Sequence, residues 1–233
     1  MSVTWFLTGA SRGIGLELTR QLLESSSNTV FATCRSPATA FALDALKSSS
    51  GILHVVQIDV MDEVSIKAGC SRVLELLNGT GLDYVINNAA ISPVTDLPSS
   101  FDPVFAETIK CNVTGPALVT RFLLPAIENS SRKVIVNISS SLASISKDLG
   151  PKLTGYSISK AGLNMLTYKQ MRERPDFIPI LMDPGWVKTD LGGERAKIET
   201  HVSVTGILNV VDTNLRWLTR ASFTNYLGKQ IPW

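Results

Sequence analysis

Short apolar runs alternate with longer helix-periodic stretches along most of this chain, and that rhythm limits its fold more than any single motif. Residues 3–8, 29–33, 52–58, 84–87, 134–138 and 178–182 are short and mostly rich in β-branched side chains, so they read as strands. Between them, 14–24, 38–47, 64–77, 105–127 and 155–172 carry apolar residues at helical spacing. Strand-then-helix repetition predicts a parallel sheet with helices on both faces, because parallel neighbours need a crossover. No Pro/Ser-rich linker or charge block divides the chain, so residues 1–233 are expected to form one domain. The serine clusters at 25–27 and 48–51 fall where a helix turns back into a strand. After Pro184 the rhythm breaks. Residues 190–197 are polar with a glycine pair and read as a mobile surface segment, part of a lid over about 190–205. Helical spacing resumes over 202–218, and 227–233 reads as a hairpin-like terminal strand in which Pro232 limits pairing.

At 233 residues the chain can bury one large core. A net charge of +2 is too small and scattered to point to nucleic acid or an anionic membrane. No apolar run approaches the roughly 20 residues that span a bilayer. Met1-Ser2 leads straight into the first apolar run without a basic leader. Cys34, Cys70 and Cys111 are odd in number, widely spaced and without metal-ligand spacing, which favours buried free thiols over a disulfide or a metal. A cytoplasmic protein is expected.

The glycine-rich stretch 8–15, Thr-Gly-Ala-Ser-Arg-Gly-Ile-Gly, follows the first strand and opens the first helix. In that setting Gly9 permits a tight turn, Gly13 lets the backbone approach a pyrophosphate, and Gly15 allows close helix–strand packing. Ser11, Arg12 and Ile14 complete the turn, and the helix N-terminus offers free N–H groups to phosphate. The spacing alone is weak, since a ligand-free glycine turn looks similar. An NAD site calls for a carboxylate at the end of the second strand. Here Cys34 stands in that place with Arg35 beside it and Arg12 in the turn. Two guanidinium groups and no acid favour a 2′-phosphate, hence NADP(H), over two ordinary surface arginines. Asp59, followed by Val60, ends the third strand and is placed either at an adenine edge or in a plain turn.

Tyr156 and Lys160 lie four residues apart on a helical stretch and so share a face. A fixed ammonium there can lower the proton affinity of a phenol and make it a general acid. The spacing is common by chance, and its weight comes from the glycine turn upstream.

With both motifs the chain resembles the short-chain dehydrogenase/reductase family from end to end. Residues 87–90, Asn-Asn-Ala-Ala, match the family's N-N-A-G with Ala90 replacing the glycine. Asn112 sits where the family keeps a helix-kinking Asn, 138–140 is Ile-Ser-Ser, and 184–189 is Pro-Gly-Trp-Val-Lys-Thr. The Ala-Thr-Cys-Arg turn, the short lid and the ending Gly-Lys-Gln-Ile-Pro-Trp look like the small sniffer-type carbonyl reductases. The resemblance implies a doubly wound Rossmann domain with a seven-stranded parallel sheet. It makes Tyr156 the proton donor, Lys160 a ligand of the nicotinamide ribose, Ser140 the holder of the substrate oxygen and Asn112 the anchor of a proton-resupplying water. Ser139 is the alternative to Ser140. Asn88, Ala89 and Ala90 would line the cofactor, with Asn87 lining it or bracing the sheet, and Pro184, Gly185, Val187 and Thr189 would meet the nicotinamide amide. Ser140 and Tyr156 stand further apart than is usual in the family, and Asp183 is an unexpected acid before Pro184.

The expected activity is NADPH-dependent reduction of a ketone or aldehyde. Apolar residues in 91–97, 142–153 and the lid favour a hydrophobic or aromatic compound. An NADP(H)-sensing regulator and a non-redox enzyme on the same fold are the rival readings. By resemblance alone, the helices around 105–127 and 155–172 pack across a two-fold axis in a homodimer or homotetramer.

Overall fold

The computed structural model describes residues 2–92, 96–100, 103–213 and 222–233. Its centre is a seven-stranded sheet of β1 (Val3–Leu7), β2 (Asn28–Cys34), β3 (Ile52–Gln57), β4 (Tyr84–Asn87), β5 (Val134–Ile138), β6 (Ile178–Asp183) and β7 (Ser222–Asn225). Every pairing is parallel and the order is β3-β2-β1-β4-β5-β6-β7. The chain therefore winds outward in one direction from β1 and in the other from β4. A crevice opens above their carboxyl ends, the usual ligand site of such sheets.

Alternation along β1 shows why the sheet needs two helical layers. Trp5 and Leu7 face one side, with Val30, Tyr84, Ile86, Val136 and Ile180, and are covered by α1 (Gly13–Leu22), the short α2 (Phe41–Asp44) and α7 (Thr200–Thr213). Phe6 faces the other side, with Phe31, Val85 and Ile135, and is covered by α3 (Glu63–Leu77) and α5 (Gly115–Glu128). Across β1 and β4, Trp5 and Tyr84 are register partners whose rings stack at 3.8 Å. The long α6 (Thr154–Glu173) carries Tyr156 and Lys160 against the carboxyl half of the sheet.

Three of the expected elements take a different form, and a fourth is seen only in part. The helix expected over 38–47 is broken into a 3-10 turn at Pro37–Thr39, the single turn of α2 and a second 3-10 turn at Ala45–Ser48. Pro37 sets its start, and Phe41 is exposed, so little apolar surface holds a longer helix in place. The helix expected over 105–127 is interrupted: α4 (Phe105–Ile109) runs into a π-helical turn at Lys110–Thr114 before α5. The seventh strand is Ser222–Asn225, not 227–233. The latter folds back with one antiparallel bridge, Thr224 to Gln230, because Pro232 has no N–H to extend the ladder. The helix expected over 202–218 is seen from Thr200 to Thr213, and its last residues lie outside the described residues. No helix among the described residues is long and apolar enough to cross a membrane.

Phe6 is fully buried in the α3/α5 face. Phe6→Ala is expected to cost about 3–5 kcal/mol, read as a lower midpoint with an unchanged slope in urea denaturation.

Candidate active site

The site begins where β1 stops. Thr8 turns its hydroxyl toward the end of β4 and accepts from the N–H groups of Asn88 and Ala89, both at 3.0 Å. The Asn88 amide answers by donating to the Thr8 carbonyl at 2.9 Å and the Gly9 carbonyl at 3.2 Å. Those bonds lock the glycine turn onto the 87–90 segment. The fit leaves no room for a side chain at Gly15, whose Cβ would come within 2.6 Å of the Asn88 amide nitrogen. Gly9 adopts φ +70 over Ala89, a conformation that suits glycine. The first turn of α1 carries no acidic residue, and Arg12 at its N-cap makes no side-chain cap. Free N–H groups therefore face the crevice above β1 and β4, a cradle suited to a pyrophosphate.

At the end of β2, Cys34 is buried and Arg35 is exposed. Arg12 is also exposed and pairs with Asp190 at 2.6 Å. Asp59 accepts from the Met61 N–H at 2.9 Å and so forms a local turn, with Val60 half-buried beside it. The opposite wall is the segment after β6. There Pro184 and Val187 are buried, Gly185 turns at φ +78, and the Thr189 hydroxyl accepts from the Gly192 N–H at 3.1 Å. A Cβ on Gly13 would touch Thr189 at 3.2 Å, so the glycine turn and this wall close on each other.

Tyr156 and Lys160 sit on the inner face of α6, with Lys160 only 2% exposed. The ammonium donates to the Ile138 carbonyl at 2.7 Å and lies 5.6 Å from the centroid of the Tyr156 ring. Asn112 lies in the π-helical turn and both accepts from and donates to the backbone of Ile91, at 2.9 and 2.8 Å. Its amide also donates to the Ser159 hydroxyl at 2.9 Å, which donates to the Tyr156 carbonyl at 2.7 Å. Asn112 is thereby tied to the backbone of the Tyr156 turn. Of the two candidate serines, Ser139 is buried with its hydroxyl donating to Asn164 at 2.6 Å. Ser140 is half-buried, and its hydroxyl accepts only a long bond from the Leu142 N–H, at 3.2 Å. Asn87 is buried and donates to Asn137 at 2.8 Å, so it braces the sheet from within; Ala90 is half-buried at the rim.

Sequence reading passes over three contributors. Thr8 locks the glycine turn, and its only signal is its place before Gly9. Ser159 links Asn112 to Tyr156 and is an unremarked helix residue. Asp96, 3% exposed, accepts from the Gly155 N–H at 2.9 Å and so caps α6 from a distant loop. That pairing spans 59 residues and leaves no local pattern.

The electrostatics differ from the expectation in one respect. The sequence reading has Lys160 lowering the Tyr156 pKa, but burial, followed by the charge of Asp183, pushes the Tyr156 phenol above its ordinary value. Burial also lowers Lys160 to about 8, partly countered by Cys111. The arrangement therefore holds a protonated phenol next to a lysine of moderated basicity.

A family model described as short chain dehydrogenase matches residues 4–200. The chain belongs to the short-chain dehydrogenase/reductase family. Among solved structures, the NADPH-bound carbonyl reductase from chicken fatty liver has a TM-score of 0.91 at 32% identity, covering 100% of both chains. Carbonyl reductase Sniffer of Drosophila melanogaster has a TM-score of 0.91 at 26% identity, again over 100% of both. Norsolorinic acid ketoreductase of Aspergillus parasiticus is 29% identical over 248 aligned residues, 98% of this chain and 90% of that protein.

The buried lysine predicts a distinct pH dependence. Below about 8, Lys160 is charged in both the folded and the unfolded chain, and the burial penalty is present in full. Between about 8 and 10.5 the folded protein sheds the proton first, so stability attributable to this group rises with pH. Lys160→Met is expected to be more stable than the wild type near pH 7, with the gap closing as pH rises through that window. Denaturation of both proteins at several pH values measures it, and the comparison cancels the cysteines and tyrosines common to both.

Proposed function

We propose that this protein is an NADPH-dependent reductase that converts a hydrophobic or aromatic ketone or aldehyde to the alcohol. The observation that carries the reading is the buried Tyr156–Lys160 pair, tied through Ser159 to Asn112 and standing beside the cradle of the glycine turn. The cradle fits a dinucleotide: Gly13 presents bare backbone toward the Thr189 wall, and the first turn of α1 has no carboxylate to repel phosphate. Gly9, Ser11, Gly13, Ile14 and Gly15 would hold the pyrophosphate side. Arg12 and Arg35 would hold a 2′-phosphate, Asp59 and Val60 the adenine, and Asn88, Ala89 and Ala90 the floor. Pro184, Gly185, Val187 and Thr189 would flank the nicotinamide. When bound, NADPH supplies the hydride.

The protein's own groups handle the proton. The Tyr156 hydroxyl donates to the carbonyl oxygen, and the Ser140 hydroxyl donates a hydrogen bond to the same oxygen, stabilising negative charge as it develops there. Lys160 stabilises the phenolate that results, and water held near Asn112 returns the proton. Burial and Asp183 push the Tyr156 phenol up, so its neutral form persists to higher pH.

Apolar side chains around this end of the molecule support a greasy substrate. Leu97, Ile145, Leu149, Trp186 and Leu191 are all exposed although large and apolar, and Ile145 is 91% exposed. They come from the 91–97 and 142–153 stretches, the turn after β6 and the lid segment; residues 93–95 lie outside the described residues. Ile158, Met165 and Tyr168 are exposed along one face of α6, which supports a homo-oligomer packed through that helix.

A panel of aromatic ketones, aldehydes and sugars, followed by NADPH absorbance, tests the reading. Turnover is expected with the aromatic carbonyls, and Tyr156→Phe is expected to lose about 10²–10⁴-fold in kcat while keeping NADPH affinity. Tight NADPH binding with no turnover on any carbonyl would sink the proposal, and equal activity in Tyr156→Phe would remove Tyr156 as the acid. Arg35→Ala is expected to raise the Kd for NADPH by about ten-fold or more and leave that for NADH within about two-fold, as measured by calorimetry.

A further inference from the structure

Asp183 ends β6 and neither donates nor relays the proton in the path just described. It is 7% exposed, and a carboxylate at that depth requires donors. It has two. The Gly185 N–H donates to Oδ1 at 2.9 Å, and the Ser141 hydroxyl donates to Oδ2. Its backbone carbonyl accepts from the Tyr226 N–H at 2.9 Å, which fixes the strand end to the segment after β7. The two donors belong to opposite walls of the site. Ser141 follows Ser140 and opens the 3-10 turn Ser141–Ala143, whereas Gly185 begins the turn that leads to Val187 and Thr189. No other side chain described above joins those two turns.

We propose that Asp183 is a positioning residue for carbonyl reduction, tying the Ser140 turn to the Gly185 turn. The inference rests on the reading of Tyr156 as proton donor. The tie fixes where Ser140 stands relative to the wall that would flank the nicotinamide, so the substrate oxygen and the hydride acceptor carbon share one frame. The charge opposes formation of tyrosinate and keeps the donor protonated to higher pH, adding to the larger effect of burial. Other charged and titratable groups surround the pair. Lys160 approaches Tyr156 from α6 itself, and Cys111 lies behind Lys160 in the π-helical turn. Lys147, from the 3-10 turn Ile145–Lys147, donates to the Ser141 hydroxyl at 3.2 Å. Tyr226 lies against Gly185, and Asp96 sits at the start of α6. Lys147 is exposed, so solvent screens much of its opposing charge.

Two variants separate the charge from the tie. Asp183→Asn keeps the size and the acceptor for the Gly185 N–H, turns the bond to Ser141 into one that the hydroxyl accepts from the amide, and removes the charge. Asp183→Ala removes charge and tie together. For Asp183→Asn, the alkaline limb of kcat/KM against pH for an aromatic ketone is expected to move down by about half a unit or more, with NADPH affinity within about two-fold of wild type. For Asp183→Ala, kcat is expected to fall about ten-fold, and amide hydrogen exchange in peptides covering 140–143 and 185–189 to accelerate. Superimposable pH profiles for wild type and Asp183→Asn would overturn the role of the charge. Unchanged exchange at both turns in Asp183→Ala would overturn the tie. The exchange measurement uses no substrate: a wild-type protein that reduces no carbonyl overturns the reductase reading, and the exchange rates then decide the tie by themselves.

Discussion

In an all-parallel sheet every strand points the same way, so every connection that leaves a carboxyl end arrives at one edge. This constraint governs the rest of the molecule. Thr8, Asn88, Ser140 and Pro184 follow β1, β4, β5 and β6, and the order of those strands places them side by side. Nothing in the loops has to bring them together. The loops have only to turn tightly, and the hydrogen bonds between Thr8 and the 88–89 backbone hold the central pair of them.

What the sheet edge does not supply is the proposed proton donor, Tyr156, which comes from α6. That helix is pinned at three levels: Asp96 caps its first turn, Ser159 connects it to Asn112, and Lys160 reaches the end of β5. The cost is two ionisable side chains deep in a poorly polarisable setting. Each responds by favouring its neutral form, so the phenol is harder to ionise and the ammonium easier to discharge.

Much of this was legible beforehand, for reasons that can be named. Strands β4 and β5 are continuous apolar runs with abrupt polar ends, and the structure places Tyr84–Asn87 and Val134–Ile138 where the pattern does. Burial on both faces leaves no ambiguity of period. The π-helical turn is invisible to the apolar spacing, which survives one extra residue; only the resemblance pointed to a kink, at Asn112. The terminal strand was misread because Ile231 and Trp233 are apolar and the true strand, Ser222–Asn225, is short with polar ends. Within the site, residues carried by compact local motifs were found, among them Gly9, Gly13, Gly15, Tyr156 and Lys160. Asp96 and the Ser141 partner of Asp183 were not, since their bonds join segments 59 and 42 residues apart.

The π-helical turn has a consequence for how this fold can change over time. An α-helix advances about 100° per residue, so one surplus residue at Lys110–Thr114 offsets the faces of the two flanking helices by that angle. Deleting a residue would heal the hydrogen-bond ladder. It would also swing Asn112 away from Ile91 and Ser159, or carry the apolar face of α5 off the sheet. Repairing the defect and preserving the site exclude each other, so the irregularity is locked in by geometry, and shortening this segment one residue at a time is a route closed to the protein.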